Sequence, residues 1–322
     1  MKALILAAGK GSRLYPATLT TPKPLMPIGG KETLYFIIKE ILDNGINSIG
    51  IVVSEENSKE IEKFITYSNF NGKISLIIQH EQLGVAHAVK ISQSFIGDED
   101  FILYLGDNLF EKGIKKLIQK FANGNNNILY IKNVEDPRKF GVAVIDNDGK
   151  LKKIIEKPKN PPSKLAVTGI YGFKNKIFDY IGQIPLSPRG EYEITDAIKL
   201  SIENNDVVNT EIVEGWWIDT GNIKDYLDAN KYKLLEDTNL KKVNNVGGYC
   251  LVKDSHKIQD SIIKNYSFVG PGSVIKDSII ENCVILENSN VENYKLKNCI
   301  LRSEVNLINK DSNMKIIENK II

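Results

Sequence analysis

The amino-acid sequence predicts an α/β domain built on a mostly parallel sheet, followed by a small left-handed parallel β-helix. Two textures carry that prediction. Up to about residue 237, short apolar runs alternate with stretches of helical periodicity, the rhythm of βαβ units. From about residue 243, apolar side chains recur at every sixth position, as Ile262, Phe268, Val274, Ile280 and Leu286, with Gly270 and Gly272 in a turn and many Asn and Ser between. A helix needs a period of about 3.6 and a half-buried strand one of about 2, whereas a six-residue period suits one face of a triangular coil. An evenly spaced antiparallel meander is the competing reading. The expected organisation is a first domain over 1–237, the coil over 243–305, and a capping strand or tail over 306–322. Residues 228–245 read as a terminal helix and the start of a linker.

Each element of the first domain has its own signal. The run Leu4-Ile5-Leu6-Ala7-Ala8 closes on Gly9, as a buried parallel strand does. Residues 34–42 carry apolar side chains at 34, 37, 38, 41 and 42 with Gly45 beyond, an amphipathic helix and its stop. "SIGIVVS" reads as strand, "SKEIEKFI" as helix, "ISLIIQ" as strand, "GVAHAVKISQSFI" as helix and "FILYLGDN" as strand. Open parallel sheets bind ligands beyond the carboxyl ends of their strands. The residues to inspect are therefore 9–13, 79–84, Asp107 and Asp219.

Composition excludes several partners. The chain has 322 residues, 42% hydrophobic and 25% charged, which suits a globular protein. With 42 basic and 40 acidic side chains there is no global field to attract nucleic acid or an anionic membrane. The first apolar run is too short for a signal-peptide core, and no run is long enough to span a bilayer, so a cytoplasmic protein is expected. Cys250, Cys283 and Cys299 share no CxxC spacing and are expected as small buried side chains, forming neither disulfides nor a zinc site.

The loop after the first strand fits neither familiar phosphate motif. A dinucleotide fingerprint wants glycine where Leu14 stands, and a P-loop wants Gly-Lys-Ser/Thr at its end. Arg13 is the informative residue, because a guanidinium beside a tight glycine turn can fork onto phosphate oxygens. Asp107 and Asp219 each end an apolar run close to glycine, where a pair of carboxylates can hold Mg²⁺ with water and phosphate completing its shell. Together with Lys23 in "TPKPLMP" they point to a Mg²⁺-nucleotide site.

These strings resemble the sugar-1-phosphate nucleotidylyltransferase family, most closely its glucose-1-phosphate thymidylyltransferase branch in the long form with a C-terminal β-helix. "LAAGKGSRL", "PKPLMP", "GDN", "FGV", "EKP", "AVTGIYGF", "RGEYEITDA" and "WWIDTG" occur in the family's order over almost the whole chain. The resemblance implies a Rossmann-like nucleotide-binding sheet and an enzyme that joins dTTP to glucose 1-phosphate, giving dTDP-glucose and pyrophosphate. It assigns Arg13, Lys23, Asp107, Lys157 and Asp219 to catalysis, with Asp107 and Asp219 on Mg²⁺. Leu6, Ala8, Gly9, Gly11, Ser12, Arg13, Lys23, Gln79, Gly84 and Asp107 would bind nucleotide. Asn108, Gly141, Glu156, Lys157, Val167, Tyr171 and Arg189 would bind the sugar phosphate. A solvated loop residue is the alternative for Arg189. Gln79 would read the pyrimidine edge, which thymine and uracil share. "AAGKG" and "PKP" depart from the short thymidylyltransferases, so UTP- or GTP-dependent transfer remains open. A hexapeptide-repeat acyltransferase and a non-catalytic regulatory homologue are the remoter readings. The partners implied are a nucleoside triphosphate, a sugar 1-phosphate and further copies of the chain in a homo-oligomer. His80, His87 and His256 fall in no catalytic constellation, and no site motif falls in the coil.

Overall fold

The computed structural model describes residues 1–237, 248–254 and 257–322. The remainder of the expected linker, 238–245, and His256 lie outside the described residues. The chain divides into two compact units, one of Met1–Gly9 with Ile37–Trp217, the other of Lys10–Phe36 with Ile218–Ile322.

The first unit is built on a nine-stranded sheet. Its main path runs Leu151–Glu156, Gly141–Ile145, Leu165–Phe173, Phe101–Leu105, Lys2–Leu6, Ser48–Val53, Lys73–Ile78. Asn127–Asn133 pairs with Leu165–Phe173 and with Val208–Ile212. The four strands from Phe101–Leu105 through Lys73–Ile78 are mutually parallel, and the inner three are apolar runs buried on both faces, while Lys73–Ile78 at the margin is only partly buried. Leu4, Ile5, Ile51, Val52, Phe101 and Leu103 have no exposed surface. Register matters more than strand count here. Leu6 lies opposite both Leu105 and Val52, and Val53 lies opposite Ile78. The carboxyl ends are therefore level, and Ala7–Gly9, Gln79 and Asp107 leave the sheet at one edge. Gly106 permits this approach: a Cβ there would stand 2.6 Å from the Leu6 carbonyl oxygen, to which its own amide donates at 2.9 Å.

The second unit contains the coil. Its strands form three four-stranded parallel sheets, stacked in the manner of the left-handed β-helix that the sequence implies. The coil repeat corrects the strict six-residue period. Phe268 pairs with Val284 and Val284 with Ile300, while Ile275 pairs with Val291 and Val291 with Leu307, and the side-chain ladders between successive rungs span sixteen residues. Faces thus take five or six residues, and the inward column is Ile263, Val269, Ile275, Ile280, Ile285, Val291, Leu296 and Leu301. Ile262, expected inside, is 48% exposed beside the fully buried Ile263. Corners explain the shorter faces. Asp260, Asp277 and Asn293, then Asn282, Asn298 and Asn319, then Asn288 and Glu304 hold left-handed backbone angles, which Asn and Asp tolerate best. The amide of Asn282 donates to Asn298 and that of Asn298 to Asn319, at 2.8 and 2.9 Å. Buried hydroxyls accept backbone amides one rung on, Ser273 from Ser289 and Ser278 from Tyr294, each at 3.0 Å. The cysteines continue this pattern: the Cys283 amide donates to Ser267 Oγ, and Cys283 Sγ in turn accepts from the Cys299 amide. Cys250, Cys283 and Cys299 are buried, as expected. The stretch after residue 306, where the sequence pattern fades, supplies two more strands, Asn306–Ile308 and Lys315–Glu318.

The coil also packs on the segment 10–36 within this unit. A Cβ on Gly30 would fall 2.1 Å from Leu251 Cδ2, and one on Gly29 would fall 2.6 Å from Lys233 Cβ, so both glycines are close approaches. Asn230 ties the arrangement, accepting from the Gly29 amide at 2.9 Å and donating to the Tyr266 carbonyl at 2.9 Å.

Candidate active site

In the first unit, the level strand ends carry the groups expected to meet a nucleotide. The carbonyls that end the first strand are held by side chains rather than by the sheet. Asn57 donates to Ala7 O and Gln82 to Ala8 O, both at 2.8 Å. These bonds fix the departure of the chain into Gly9, which is exposed and has open space where a Cβ would point. Leu6 is half-buried at the strand end. Gln79 follows the Lys73–Ile78 strand, is 5% exposed, and its Nε2 donates to His87 Nδ1 at 3.0 Å. A histidine expected to fall in no catalytic constellation therefore sets the orientation of the Gln79 amide. Gly84 adopts a left-handed-region φ of 96°, and a Cβ would meet Tyr192 O at 2.8 Å. The glycine thus admits the close approach of the 191–192 segment.

Asp107 sits just past Leu105, half-buried, and its Oδ1 accepts from Asn108 Nδ2 at 2.8 Å. Asn108 is 3% exposed, and its Oδ1 accepts from Trp217 Nε1 at 2.7 Å. Trp217 in turn lies against Phe140 with ring centroids 5.0 Å apart. Asn108, expected on the sugar, orients the carboxylate and keeps a second amide hydrogen and a second oxygen lone pair beyond these two bonds. Gly169 makes this possible, since a Cβ there would stand 2.5 Å from Asn108 Nδ2, and the register of Leu165–Phe173 shifts between Val167 and Tyr171 around it.

A second group gathers around Glu156. Its Oε2 accepts from Thr195 Oγ1 at 3.2 Å, while its Oε1 lies 3.5 Å from Arg189 Nη1 and 3.6 Å from Lys157 Nζ. A Cβ on Gly141 would meet Thr195 Cγ2 at 3.0 Å and Glu156 Oε2 at 3.3 Å, so the glycine is the space in which this carboxylate sits. Arg189 also reaches Glu193 at 3.2 Å and Glu191 at 3.1 Å, so this exposed turn residue lies among three carboxylates. Glu193 is buried, and burial first, then the neighbouring Glu156 charge, pushes its carboxyl above the ordinary range. Tyr171 is buried, with its hydroxyl pKa raised by burial and by Glu156. Lys157 holds φ 40°, a left-handed conformation that costs a lysine about 1–2 kcal/mol. Strain of this kind collects where a side chain must be aimed.

In the second unit, Arg13 and Lys23 come together. Gly11, at φ 64°, caps a short helical turn over Ser12–Leu14, and a Cβ on it would meet Lys23 Cβ and Thr18 Cγ2, both at 3.0 Å. Thr18 fixes the turn by donating to Gly11 O at 3.0 Å. The exposed Arg13 guanidinium lies against Gly221, whose Cβ would fall 2.9 Å from Nη2. Gly221 follows Asp219 and Thr220, so the Arg13 guanidinium lies against the backbone two residues beyond Asp219. Asn222 then caps the helix Ile223–Glu236, accepting from the Asp225 amide. Asp107 and Asp219 fall in different units, as do Lys157 and Lys23. Among the described residues, no group of three or more His, Cys, Asp and Glu side chains gathers as a metal cluster, and no helix is long and apolar enough to cross a membrane.

The nucleotidyl transferase family profile matches residues 2–236. The chain belongs to that family. This nucleotidyl transferase is 40% identical over 248 residues to the low-salt glycan biosynthesis nucleotidyltransferase Agl11 of Haloferax volcanii, covering 76% of this chain and 69% of that one. It is 39% identical over 239 residues to a glucose-1-phosphate thymidylyltransferase of Streptomyces antibioticus, covering 74% and 67%. It is 40% identical over 251 residues to the bifunctional protein GlmU of Methanococcus maripaludis, of which it spans 58%. A Bacillus anthracis structure described provisionally as a glucose-1-phosphate thymidylyltransferase, in complex with a sucrose, superposes with a TM-score of 0.68 at 34% identity, covering 75% of this chain and 98% of that one.

His87, Thr195, Glu193 and Trp217 were missed as site neighbours. Glu193 and Thr195 lay inside "RGEYEITDA" and Trp217 inside "WWIDTG", but the contacts of Thr195 with Glu156 and of Trp217 with Asn108, like that of His87 with Gln79, join side chains for which no local spacing is a signal.

Proposed function

We propose that this nucleotidyl transferase joins dTTP to glucose 1-phosphate, releasing pyrophosphate and forming dTDP-glucose. The observation that carries the reading is the level edge of the parallel sheet, where the Ala7–Gly9 backbone, the His87-oriented Gln79 and the Asn108-oriented Asp107 leave three of its four parallel strands on one side.

The residues divide the work by chemistry. A sugar phosphate is already an anion near neutral pH, because the second pKa of a phosphate monoester is about 6, so its oxygen can attack the α-phosphorus without a general base. What the protein must supply is alignment and positive charge. Arg13 and Lys23 would neutralise the triphosphate. Lys157 and Arg189 would hold the incoming phosphate, and Glu156 with the Gly141 and Val167 backbone would accept sugar hydroxyls. Gln79 would pair with the base through the amide face that His87 leaves available. Asp107 and Asp219 are hard oxygen donors of the kind Mg²⁺ takes, and each would offer it a carboxylate oxygen. When bound, that ion would neutralise charge at the α-phosphate.

The test is a matrix of four nucleoside triphosphates against several sugar 1-phosphates, read by pyrophosphate release. Turnover with dTTP and glucose 1-phosphate well above every other pair supports the assignment. Preference for UTP or GTP, or for another sugar, replaces it, and no release from any pair overturns nucleotidyl transfer.

A further inference from the structure

One face of the coil is buried on its outside. Strands alternate their side chains, and Val269, Ile285 and Leu301 point inward, so Phe268, Val284 and Ile300 point out of the coil. Outward positions elsewhere meet solvent, as Ile262 and Lys264 do on another face. Phe268, however, is 3% exposed, and Val284 and Ile300 have no exposed surface. Leu251, opposite Phe268, heads the same column. Apolar side chains on the outside of a coil are buried only where other parts of the chain cover them.

The segment that carries Arg13 and Lys23 reaches this face at two heights. At the first rung, a Cβ on Gly30 would stand 2.1 Å from Leu251 Cδ2 and 3.5 Å from Phe268 Cε2. At the fourth, Thr21 Oγ1 lies 3.5 Å from Ser303 Oγ, just beyond the Ile300–Leu301 strand. Successive rungs are about 4.8 Å apart, so the two contacts are separated by about 14 Å of coil.

The stretch between these contacts has little freedom. The Tyr226 hydroxyl donates to the Pro27 carbonyl, and Asn230 accepts from the Gly29 amide. Lys23 stands two residues from the Ser303 contact, and its Cβ is the wall against which Gly11 turns. Thr18 ties that turn to the same segment through Gly11 O. A shift at Thr21 is therefore passed to Lys23 and to the turn that presents Arg13. We propose that the coil is a ruler for this segment: the number of rungs between Leu251 and Ser303 sets where Lys23 and the Arg13 turn stand, and Ser303 is a positioning residue for the triphosphate. The inference rests on the transfer reading for what the segment binds, but not for how the segment is held.

Three variants of the full chain test it, read by steady-state pyrophosphate release and by hydrogen exchange over residues 21–30. Ser303→Ala should raise KM for the triphosphate about two- to tenfold, the range of one lost hydrogen bond, with kcat and KM for the sugar 1-phosphate unchanged. Ser278→Ala is the control, because its buried hydroxyl serves only the coil, accepting from the Tyr294 amide at 3.0 Å. It should lower the melting temperature and leave KM at the parent value. A second copy of residues 284–299, inserted after Cys299, adds one rung and carries Ser303 about 4.8 Å along the coil. That longer coil should fold, yet kcat/KM for the triphosphate should drop at least tenfold. Exchange over 21–30 should quicken in Ser303→Ala and in the longer coil, and not in Ser278→Ala. If no triphosphate turns over, the transfer reading falls, and exchange over 21–30 still decides the ruler. Should the longer coil not fold, Ser303→Ala decides alone. Parent KM and parent exchange in Ser303→Ala, a loss confined to kcat, an equal rise of KM in Ser278→Ala, or parent kcat/KM in a folded longer coil would overturn the proposal.

Discussion

Gly221→Ala isolates the placement of Arg13 from everything else in the second unit. The added methyl would stand 2.9 Å from Nη2 and 3.1 Å from both Cζ and Nη1. Ordinary contact distance for such atoms is about 3.5 Å, so the guanidinium must retreat by about 0.5 Å. It can do so cheaply, because it is the free end of a flexible, exposed side chain. Gly221 does not occupy a left-handed φ, so alanine is acceptable to the backbone and should stabilise the fold by about 0.4–1 kcal/mol through the unfolded state. A charge-assisted hydrogen bond holds its optimum within about 0.2 Å, and its loss is worth about 1.5–3 kcal/mol. We therefore expect kcat/KM for the triphosphate to fall about ten- to hundredfold while the melting temperature is unchanged or higher. Steady-state pyrophosphate release and thermal unfolding read the two quantities. Gly182→Ala, where the nearest atom to the new Cβ is an ordinary 3.5 Å away, is the control and should change neither. Activity of the Gly221→Ala enzyme within twofold of the parent would remove Arg13 from the reaction.

Four further outcomes are expected. Asp107→Asn and Asp219→Asn should each lower turnover about a hundredfold with the fold intact, and the double variant should fall short of the multiplied losses if both serve one ion, as kinetics at limiting Mg²⁺ will show. Gln79→Ala should erode pyrimidine over purine preference more than rate, and His87→Ala should do the same to a smaller degree, measured as the ratio of kcat/KM values for dTTP and ATP. Because burial raises the Glu193 carboxyl, its ionisation works against the fold: stability is full below the unfolded pKa and declines as pH rises through the folded one. Glu193→Gln should flatten that decline in melting temperature between pH 4 and pH 7, and an unaltered pH profile would refute the assignment. Ending the chain at Asp237 should lower both heat resistance and turnover, since it strips Leu251 and Phe268 from Gly30 in the segment that carries Arg13 and Lys23; undiminished kcat/KM would show the coil to be dispensable.

How much was legible follows from how local each signal is. The parallel strands could be read because two buried faces force unbroken apolar runs such as Leu4 to Ala8 and Phe101 to Leu105. Asp107 was legible because a strand end followed by Gly and Asp is a local pattern with a topological meaning. The coil was recognised by its period but not by its arithmetic. Corner residues such as Asn282 and Asn298 consume a position with backbone rather than with an inward side chain, so a face can close in five residues, and a six-residue count drifts from Ile263 to Ile262. Arg189 was ambiguous because its three carboxylate partners come from two strands' worth of chain, one of them 33 residues away. The support of the helix Ile223–Glu236 for Gly29 and of the coil for Gly30 was illegible for the same reason: nothing in "PIGGKE" names Lys233 or Leu251 as its neighbours.

The sixteen-residue rung makes the coil a modular part with its own grammar of insertion. Because amide, hydroxyl and thiol columns each bind the equivalent residue one rung away, a single added residue within a face would throw three columns out of step together. A whole rung, duplicated in frame, would keep every column in phase and lengthen the stack by about 4.8 Å. Extra residues have one outlet, the corner, where the step from Asn298 to Asn319 spans twenty-one residues and still closes its amide bond. Length variation among relatives of this coil should therefore fall into two kinds, complete rungs and corner loops.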